Sequence, residues 1–395
     1  MSDPHGAGKS IVILGAGIAG LATASALQEH LRGQDTITLV DREPAHVQGL
    51  SLLWVLRGWR SAEQATVEPG GPAMKGLTLL RAEVTAIETA TQTVRTTGGD
   101  LRHDALVIAL GAELNPGRLP GLPAALASGV AGEFYTLAGA QQVHDTLREM
   151  RSGKLAFLVA SMPFKCPAAP YEGALLVADL LRETGVRDQV TVDVFTPEPA
   201  PMPVAGPVVG AALVAMLAEH GIGFHPAHTV ERIDAAQRSL VFADGSTETF
   251  DYLVVVPPHQ APAVVTAAAF SPTGWIPVDP VTLASAVPGV WALGDSSLVT
   301  LVNGKPLPKA AVFAKGQAVA VAAGVARHLG YDTPQSGFTG YGACYVEVGA
   351  GVAAKGAGNF YHPDGPQVAL AEPSKEFHLE KEADEAQWLD RWANA

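Results

Sequence analysis

The chain has 395 residues, with 26 Lys plus Arg against 39 Asp plus Glu, which gives a formal net charge of −13. A hydrophobic fraction of 48% beside 16% charged residues excludes a disordered chain and favours a large buried interior. Nucleic-acid binding depends on clustered Lys and Arg. This sequence has no basic run, so no nucleic-acid partner is expected. The two cysteines, Cys166 and Cys344, cannot build a disulfide framework or a four-thiolate metal site.

Segment 11–27 has the composition of a secretory signal core, but it also contains a glycine-rich loop. Cleavage would remove that loop, so we expect the segment to stay and the protein to be cytoplasmic, with peripheral membrane contact left open. No run of eighteen uninterrupted apolar residues occurs, so no transmembrane segment is predicted.

The first predicted unit is a strand at 11–14, a loop at 15–20, a helix at 21–31 and a strand at 36–40. The loop reads G-x-G-x-x-G, and an acid follows the second strand. Glycines at this spacing permit a tight turn, close approach to a pyrophosphate and helix packing, while the acid binds a ribose hydroxyl. The dinucleotide-binding residues predicted here are Gly15, Gly17, Ala19, Gly20 and Asp41.

Two later strands end at the same kind of position. The strand at 105–110 runs into Gly111, and the strand at 290–293 runs into Gly294 and Asp295. An acid at a strand's carboxyl end faces the ligand crevice of a parallel sheet, where it can bind a ribityl hydroxyl. An ordinary turn is the alternative at each place. Together with the first loop, these positions favour FAD over NAD.

A second unit repeats the pattern with a strand at 154–160, a helix at 171–183 and a strand at 190–195. The sequence therefore predicts an α/β fold with two Rossmann-like dinucleotide-binding domains and a C-terminal region. The predicted divisions are 1–113 and 264–329 for an FAD-binding domain, 114–263 for the second domain and 330–395 for the C-terminal region.

The loop of the second unit, residues 160–170, carries three prolines and Phe164 where a glycine loop would bind a nicotinamide nucleotide. Proline lacks the backbone donor that a pyrophosphate needs, so we expect this domain to have lost that cofactor. Cys166 lies in the loop, before a helix start that lowers a thiol pKa. Cys166 and Cys344 are thus candidates for a redox pair, although each can equally be a small buried hydrophobe.

The segment from Phe164 to Glu172 closely resembles the C-P-x-x-P-Y-E signature of the flavoprotein subunit of flavocytochrome c sulfide dehydrogenase, a relative of sulfide:quinone oxidoreductases. Segments 274–279, 294–295, 307–309 and 343–345 resemble further elements of this family in the same order. The resemblance covers nearly the whole chain. It implies a glutathione-reductase-like arrangement of the two domains and oxidation of a small sulfur substrate.

The resemblance also implies roles for single residues. Cys166 would accept the sulfur of hydrosulfide from a disulfide with Cys344, and Cys344 would face the flavin. Glu172 would accept a proton, with helix stabilisation as the alternative. Lys309, which follows a proline at a predicted helix start, would face the anionic edge of the reduced flavin, with a solvated surface lysine as the alternative.

Departures from the family limit what is carried over. The covalent flavin of the flavocytochrome requires a cysteine shortly after the first acidic residue. The matching residues 46–54 contain no cysteine, so we expect FAD to be bound non-covalently. The tail at 375–395 is acidic, and we expect its tryptophans to pack on the body or on the partner in a homodimer. The electron acceptor, a quinone or a cytochrome, is left open. His220, His225 and His228 lack the spacing of a zinc site, so no metal is predicted.

Two other functions stay open at this point. A type II NADH dehydrogenase or ferredoxin reductase has the same fold, and rapid reduction of the flavin by NADH would indicate it. A non-catalytic flavin-binding assembly subunit is the alternative from another class, and its cysteines would need no disulfide.

Overall fold

The computed structural model describes residues 8–43 and 45–393, in which strands and helices alternate over most of the length. The first seven residues of the predicted FAD-binding domain and the last two of the predicted tail lie outside the described residues.

The first part of the chain has more strands than helices. Its strands are β1 (Ser10–Leu14), β2 (Thr36–Asp41), β3 (His46–Val47), β4 (Thr66–Val67), β5 (Leu77–Arg81), β6 (Val84–Glu88), β7 (Thr93–Thr96), β8 (Gly99–Arg102), β9 (Ala105–Ile108) and β10 (Glu113–Leu114). Its helices are α1 (Ile18–Leu27) and α2 (Leu52–Arg57).

The middle part follows a second α/β pattern. Its helices are α3 (Leu122–Ala127), α4 (Leu137–Glu149), α5 (Ala169–Glu183) and α6 (Pro207–Glu219). Its strands are β11 (Ala131–Gly132), β12 (Gly153–Val159), β13 (Val190–Phe195), β14 (Ile222–His225), β15 (Val230–Asp234), β16 (Ser239–Phe242), β17 (Thr247–Thr249), β18 (Tyr252–Val256) and β19 (His259–Gln260).

The last part returns to the first sheet and then adds a three-stranded sheet and a long helix. Its elements are α7 (Ala263–Ala267), β20 (Ile276–Pro277), β21 (Val290–Ala292), β22 (Ser297–Leu298), α8 (Ala311–His328), β23 (Tyr341–Gly349), β24 (Val352–Asn359), β25 (Gln367–Ser374) and α9 (Lys375–Trp392).

Two five-stranded parallel sheets organise these elements, in the orders β21-β9-β1-β2-β5 and β11-β18-β12-β13-β14. Strands β9 and β18 are buried along their whole length, as is typical of parallel sheets covered by helices on both faces. The predicted α/β class with two Rossmann-like units is confirmed. The chain passes between the sheets at β10 and β19, which pair antiparallel. The division of the chain at 113, 263 and 329 stays a prediction.

Three helix starts differ from the prediction, and one of them is that of α5, which begins at Ala169 instead of Tyr171. Helix α1 begins at Ile18 instead of Leu21, because extended Gly17 already serves as its N-cap and lets the helix begin inside the glycine loop. Helix α8 begins at Ala311, so Lys309 lies two residues before the helix and not at its start. The side chain of Lys309 therefore belongs to the loop that precedes α8.

Helix α9 packs on the body through a stripe at helical spacing. Lys381, Glu385, Trp388 and Trp392 are buried, and Trp392 lies in the core of the first sheet's side of the molecule. The backbone N–H of Gly70 donates a hydrogen bond to the carbonyl of Trp392. Of the two places that the sequence left open for these tryptophans, the structure shows packing on the body of the same chain.

The three glycines of the first loop have different surroundings. Gly15 has φ +99°, in the left-handed region that favours glycine. A Cβ on Gly20 would lie 1.8 Å from the carbonyl oxygen of Gly15, so helix and strand approach as closely as glycine permits. A Cβ on Gly17 would have no atom within 4 Å. Gly17 therefore faces open space at the start of α1.

Gly20→Ala and Gly17→Ala should separate folding from cofactor binding. Alanine at Gly20 meets backbone, so we expect the unfolding free energy to fall by about 1 to 3 kcal/mol. Alanine at Gly17 should leave the stability of the apoprotein within about 0.5 kcal/mol of the original, while it lowers FAD content, because its methyl group would occupy space predicted for the pyrophosphate. Denaturant unfolding and flavin absorbance per protein measure both. A Gly17→Ala variant with full FAD content would contradict this placement of the pyrophosphate.

Candidate active site

The predicted FAD-binding residues meet at one edge of the first sheet. The loop of Gly15 follows β1, Asp41 ends β2, Gly111 follows β9 and Gly294 follows β21. These strands are adjacent and parallel, so their carboxyl ends open on a single crevice. Sequence positions up to 280 residues apart thereby line one site.

Asp41 is held against the glycine loop. Its carboxylate accepts hydrogen bonds from the backbone N–H of Ala16 at 2.7 Å and of Glu43 at 2.9 Å. These bonds orient the carboxylate at the end of β2 beside the start of α1. The contact with a ribose that the sequence predicts for Asp41 stays a prediction.

Hydrogen bonds to Ser296 and Gln317 hold the turns at Gly111 and Gly294 in place. Ser296 donates a hydrogen bond from its hydroxyl to the carbonyl of Gly111 at 3.1 Å, and the N–H of Gly294 donates to Gln317 at 2.8 Å. A Cβ on Gly294 would lie 3.1 Å from the Cβ of Ala19, so this turn packs directly on the first turn of α1. The loops after β9, β21 and β1 therefore form one continuous lining.

Lys309 is buried, which excludes a solvated surface lysine. Its ammonium donates to the backbone carbonyls of Asp295 at 2.6 Å and Ser297 at 3.0 Å, and lies 3.6 Å from the ring centroid of Trp275. Burial lowers the pKa of Lys309 to about 8, opposed by Asp295. Lys309 thus contributes a cation to the crevice beside Asp295, and its contact with the flavin stays a prediction.

The loop that carries Cys166 is tied to the same lining. The N–H of Cys166 donates to the carbonyl of Lys309 at 2.6 Å, and its own carbonyl accepts from the N–H of Ala169 at 2.9 Å. The backbone of Cys166 has φ +56°, a left-handed conformation that costs a non-glycine residue on the order of 1 kcal/mol or more. The two hydrogen bonds hold Cys166 in this conformation at the start of α5.

Cys344 comes to Cys166 through the packing of β23 against α5. Both residues are free thiols in the structure. Burial is the largest cause that raises the pKa of each thiol; a charge on Cys344 raises that of Cys166 further, and Glu172 raises both. The prediction that the helix start lowers the pKa of Cys166 is therefore wrong, because burial outweighs the helix dipole.

Glu172 lies in the first turn of α5 and is buried against helix α9. Its carboxylate pairs with the ammonium of Lys381, which also lies 3.6 Å from Glu347. Burial raises the pKa of Glu172, while Lys381 lowers it. Burial lowers the pKa of Lys381, but the charges of Glu172 and Glu347 raise it above its ordinary value. The pairing with Lys381 is a further role for Glu172, one that neither interpretation of the sequence included.

Sequence reasoning missed Lys381 and its neighbours. Lys381 stands in the charged run 380–385, which is typical of a solvated helix face. The signal that was available is its spacing from Trp388 and Trp392, which continues the buried stripe of α9 one turn at a time. Glu347 and His378, which contact each other at 3.0 Å, were also missed.

Several buried polar atoms near the crevice have no hydrogen-bond partner. Both polar side-chain atoms of Gln48, Nε2 of His46 and Nε2 of His259 are of this kind. Such groups are rare in folded proteins and usually have a partner. Gln48 and His46 follow Asp41 along the chain, and burial lowers the pKa of both histidines to about 4, with Lys165 acting further on His259. Neutral donors and acceptors of this kind suit a polar cofactor.

The residues present therefore fit FAD. Gly17 provides open space at a helix start for the pyrophosphate, Asp41 provides a carboxylate for the ribose, and unpartnered Gln48 provides hydrogen-bonding groups. FAD supplies a two-electron acceptor when it is bound here.

The proline loop of the second unit borders an apolar cavity of about 100 Å³. Phe164 and Pro167 line it from the loop, Met202 and Val204 from the segment before α6, and Trp275 from the FAD side. Glu198 and Lys309 supply its charged groups. Within the described residues, no helix is both long and apolar enough to cross a bilayer.

Comparisons with known proteins agree with this geometry. The family model described as pyridine nucleotide-disulphide oxidoreductase matches residues 9–162 and 172–318. The segment between the two matches, 163–171, is the loop of Cys166. Mitochondrial sulfide:quinone oxidoreductase of Dictyostelium discoideum is 28% identical over 347 residues, which are 85% of this chain and 74% of that protein. The mouse protein of the same name is 24% identical over 72% of this chain and 65% of its own.

A solved structure shows the same fold. The sulfide:quinone oxidoreductase of the hyperthermophilic bacterium Aquifex aeolicus superposes with a TM-score of 0.85 at 22% identity, over 98% of this chain and 92% of that one. The predicted resemblance to this group of flavoproteins is confirmed, and members of the matching family bind FAD. With its two Rossmann-like units and glycine loop, the chain belongs to the pyridine nucleotide-disulphide oxidoreductase family and is an FAD-dependent oxidoreductase.

Proposed function

We propose that this protein oxidises sulfide through Cys166 and Cys344 and passes the electrons by way of FAD to a separate acceptor. The observation that carries the proposal is the position of the cysteine pair. Cys166 is hydrogen-bonded to Lys309, Lys309 is hydrogen-bonded to Asp295 of the FAD crevice, and a charge on Cys344 acts on the pKa of Cys166. The named activity of the relatives supports sulfide as the substrate.

Burial of both thiols disfavours the thiolate form of each cysteine, and a disulfide is the oxidised form in which the pair carries no charge. Burial raises the pKa of each thiol, so isolated thiolates are unfavourable at this site. A disulfide is uncharged and carries no such penalty. Oxidation of the pair would therefore place a reactive but neutral bond in the buried site.

The first step would be thiol–disulfide exchange. The sulfur of hydrosulfide attacks Cys166, a new S–S bond forms, the bond to Cys344 breaks, and Cys344 leaves with the electron pair as a thiolate. Lys381 lies close enough to lower the pKa of Cys344 and so favours this leaving group. The products are a persulfide on Cys166 and a thiolate on Cys344.

Glu172 would act as the proton acceptor for incoming H2S. Its carboxylate acts electrostatically on both thiols, and its raised pKa brings its titration nearer to neutral pH, where an acid–base catalyst works best. The apolar lining beside Pro167 and Phe164 admits a small uncharged molecule more readily than an anion. H2S is therefore the form of sulfide that we expect to enter.

The acceptor of the electrons is proposed only as a class. The relatives are named for quinone, so a quinone is the first candidate and a cytochrome the second. Contact with a membrane and a homodimer stay predictions.

Cys166→Ser and Cys344→Ser should each abolish the bleaching of the flavin absorbance by sulfide under anaerobic conditions. Serine removes the sulfur that exchanges with hydrosulfide, whereas the FAD crevice keeps its residues. Dithionite, which reduces flavin directly, should bleach both variants as it bleaches the original protein. Undiminished bleaching of either variant by sulfide would contradict the proposal. Rapid bleaching by NADH would indicate an NADH dehydrogenase instead, and no bleaching of the original protein by either donor would indicate a non-catalytic subunit.

Glu172→Gln should remove the acidic limb from the pH dependence of flavin reduction by sulfide. Only the carboxylate accepts a proton, so the rate of the original protein should rise with pH through the pKa of Glu172, which burial places above the ordinary glutamate range. Loss of a general base lowers the rate roughly 100-fold or more. Stopped-flow absorbance across the pH range measures both effects.

Glu198→Gln is the matched control for this experiment. Glu198 is also buried with a raised pKa, but its carboxylate accepts hydrogen bonds from Tyr171 and Thr196. This control should keep the acidic limb. An unchanged profile in Glu172→Gln would exclude Glu172 as the base.

A further inference from the structure

A cluster of buried charges extends from Glu172 toward the surface. We call it the buried charge cluster, and it comprises Glu172, Lys381, Glu347 and His378. Three elements contribute to it, since Glu172 is on α5, Glu347 on β23, and the other two on α9. Glu172 and Lys381 lie close enough to act on the pKa values of both Cys166 and Cys344, so the cluster begins at the cysteine pair.

Each member of the cluster contacts the next. The ammonium of Lys381 is hydrogen-bonded to Glu172 and lies 3.6 Å from Oε1 of Glu347. Nδ1 of His378 lies 3.0 Å from Oε2 of Glu347, and its Nε2 lies 3.8 Å from Glu382. Lys381 thus stands between two carboxylates, and a shift of a few tenths of an ångström completes the second hydrogen bond.

The charges of the cluster leave room for one proton. Among the described residues, the two carboxylates of Glu172 and Glu347 share the ammonium of Lys381. When ionised, these three groups carry one net negative charge, so one proton added to Glu172 makes them neutral, and buried charges are stable when they are compensated. Trp54, whose indole N–H donates to Glu347 at 3.1 Å, closes the other side of that carboxylate.

His378 connects the cluster to solvent. It lines a surface cavity of about 450 Å³ together with Arg57, Arg60, Asp179 and Glu382. Both arginines of the cavity are paired, Arg57 with Asp179 and Arg60 with Glu382 and Glu385. The edges of Trp54 and Trp59 pack on the imidazole and hold it at the cavity wall.

We propose that the buried charge cluster is a proton path from the cysteine pair to this surface cavity, with His378 as its outermost member. The inference rests on the proposed oxidation of sulfide. H2S and the disulfide give a persulfide on Cys166, a thiolate on Cys344 and a proton on Glu172. The two sulfur groups then join in a new S–S bond, FAD bound in the crevice would take up the two electrons and the proton of the persulfide, and one proton remains on Glu172. Glu172 passes that proton to Lys381 as Lys381 gives one to Glu347, and His378 releases it to water.

His378→Gln tests the path. Glutamine keeps a donor for Glu347 but cannot carry a proton, so a purely structural role predicts unchanged kinetics. We expect bleaching of the flavin and release of the proton to slow together by roughly tenfold or more. Anaerobic stopped-flow in weakly buffered, mildly acidic solution follows the flavin absorbance and a pH-indicator dye. His225→Gln is the matched control, because His225 also contacts a carboxylate, that of Asp193 at 2.8 Å, away from the cluster.

A second variant guards against a defect in folding. His378→Ala opens space beside the cavity, and added imidazole should restore both rates, whereas it should not affect His378→Gln. Full FAD content in each variant shows that the crevice is intact. Rates equal to those of the original protein in His378→Gln, or no rescue of His378→Ala by imidazole, would overturn the proton path.

A dithiol separates this inference from the proposed substrate. Dithiothreitol reduces the disulfide to two thiols, and their oxidation by FAD also leaves one proton. If dithiothreitol bleaches the original protein and His378→Gln slows it, while sulfide bleaches neither, sulfide is the wrong substrate and the path is upheld. If sulfide bleaches both proteins equally fast, the substrate is upheld and the path is rejected. If neither donor bleaches the original protein, both proposals fail.

Discussion

Charge burial beside the cysteine pair is the constraint that shapes this molecule. Glu172 is removed from water in the first turn of α5, and a buried carboxylate is stable only with a hydrogen-bonded counter-charge. Lys381 supplies that charge from a helix more than 200 residues later in the chain. The docking of α9 and the pKa values of the two thiols consequently depend on the same group, the ammonium of Lys381.

This ion pair forms because the fold brings together elements from different parts of the chain. Helix α5 starts at the cysteine loop, β23 carries Cys344 and Glu347, and α9 covers both. The aromatic half of the α9 stripe, Trp388 and Trp392, packs on the first sheet's side and anchors the helix. With the helix anchored in this way, its charged residues Lys381 and Glu385 are buried away from water that would compete for their hydrogen bonds. Hydrophobic anchoring and charge pairing therefore support each other along a single helix.

The two Rossmann-like units have diverged at equivalent loops. In the first, Gly17 leaves open space at a helix start, which a dinucleotide can approach. In the second, prolines and buried Phe164 fill the corresponding loop, and its backbone instead bonds to Lys309 of the other unit. This loop carries Cys166 and is joined to the loop of Lys309 by a backbone hydrogen bond. Equivalent loops of the two units thus differ in composition and in contacts.

The sequence by itself determined the α/β class, most strands of the two parallel sheets and FAD as the cofactor. The apolar run 252–256 coincides with β18, because a parallel strand buried on both faces needs continuous apolar residues. Residues 190–195 coincide with β13 and alternate apolar with polar residues. The glycine loop could be recognised because its spacing serves local backbone geometry. Cys166 and Cys344 were candidates for a redox pair because Cys166 lies in a proline loop before a helix, and the resemblance to a family gave them separate roles. No local pattern in the chain brings the two residues together.

Only the tertiary structure decided the electrostatics. The helix start predicted a lower pKa for Cys166, but burial by distant elements raises it. Lys309 was expected at a helix start, and it lies in the loop before α8, where it is buried and bonded to the carbonyls of Asp295 and Ser297. Lys381 lies in a run of charged residues whose pattern is typical of a solvent-exposed helix face. Burial and charge pairing depend on which segments lie close together in space. A local sequence pattern does not specify which distant segments these are.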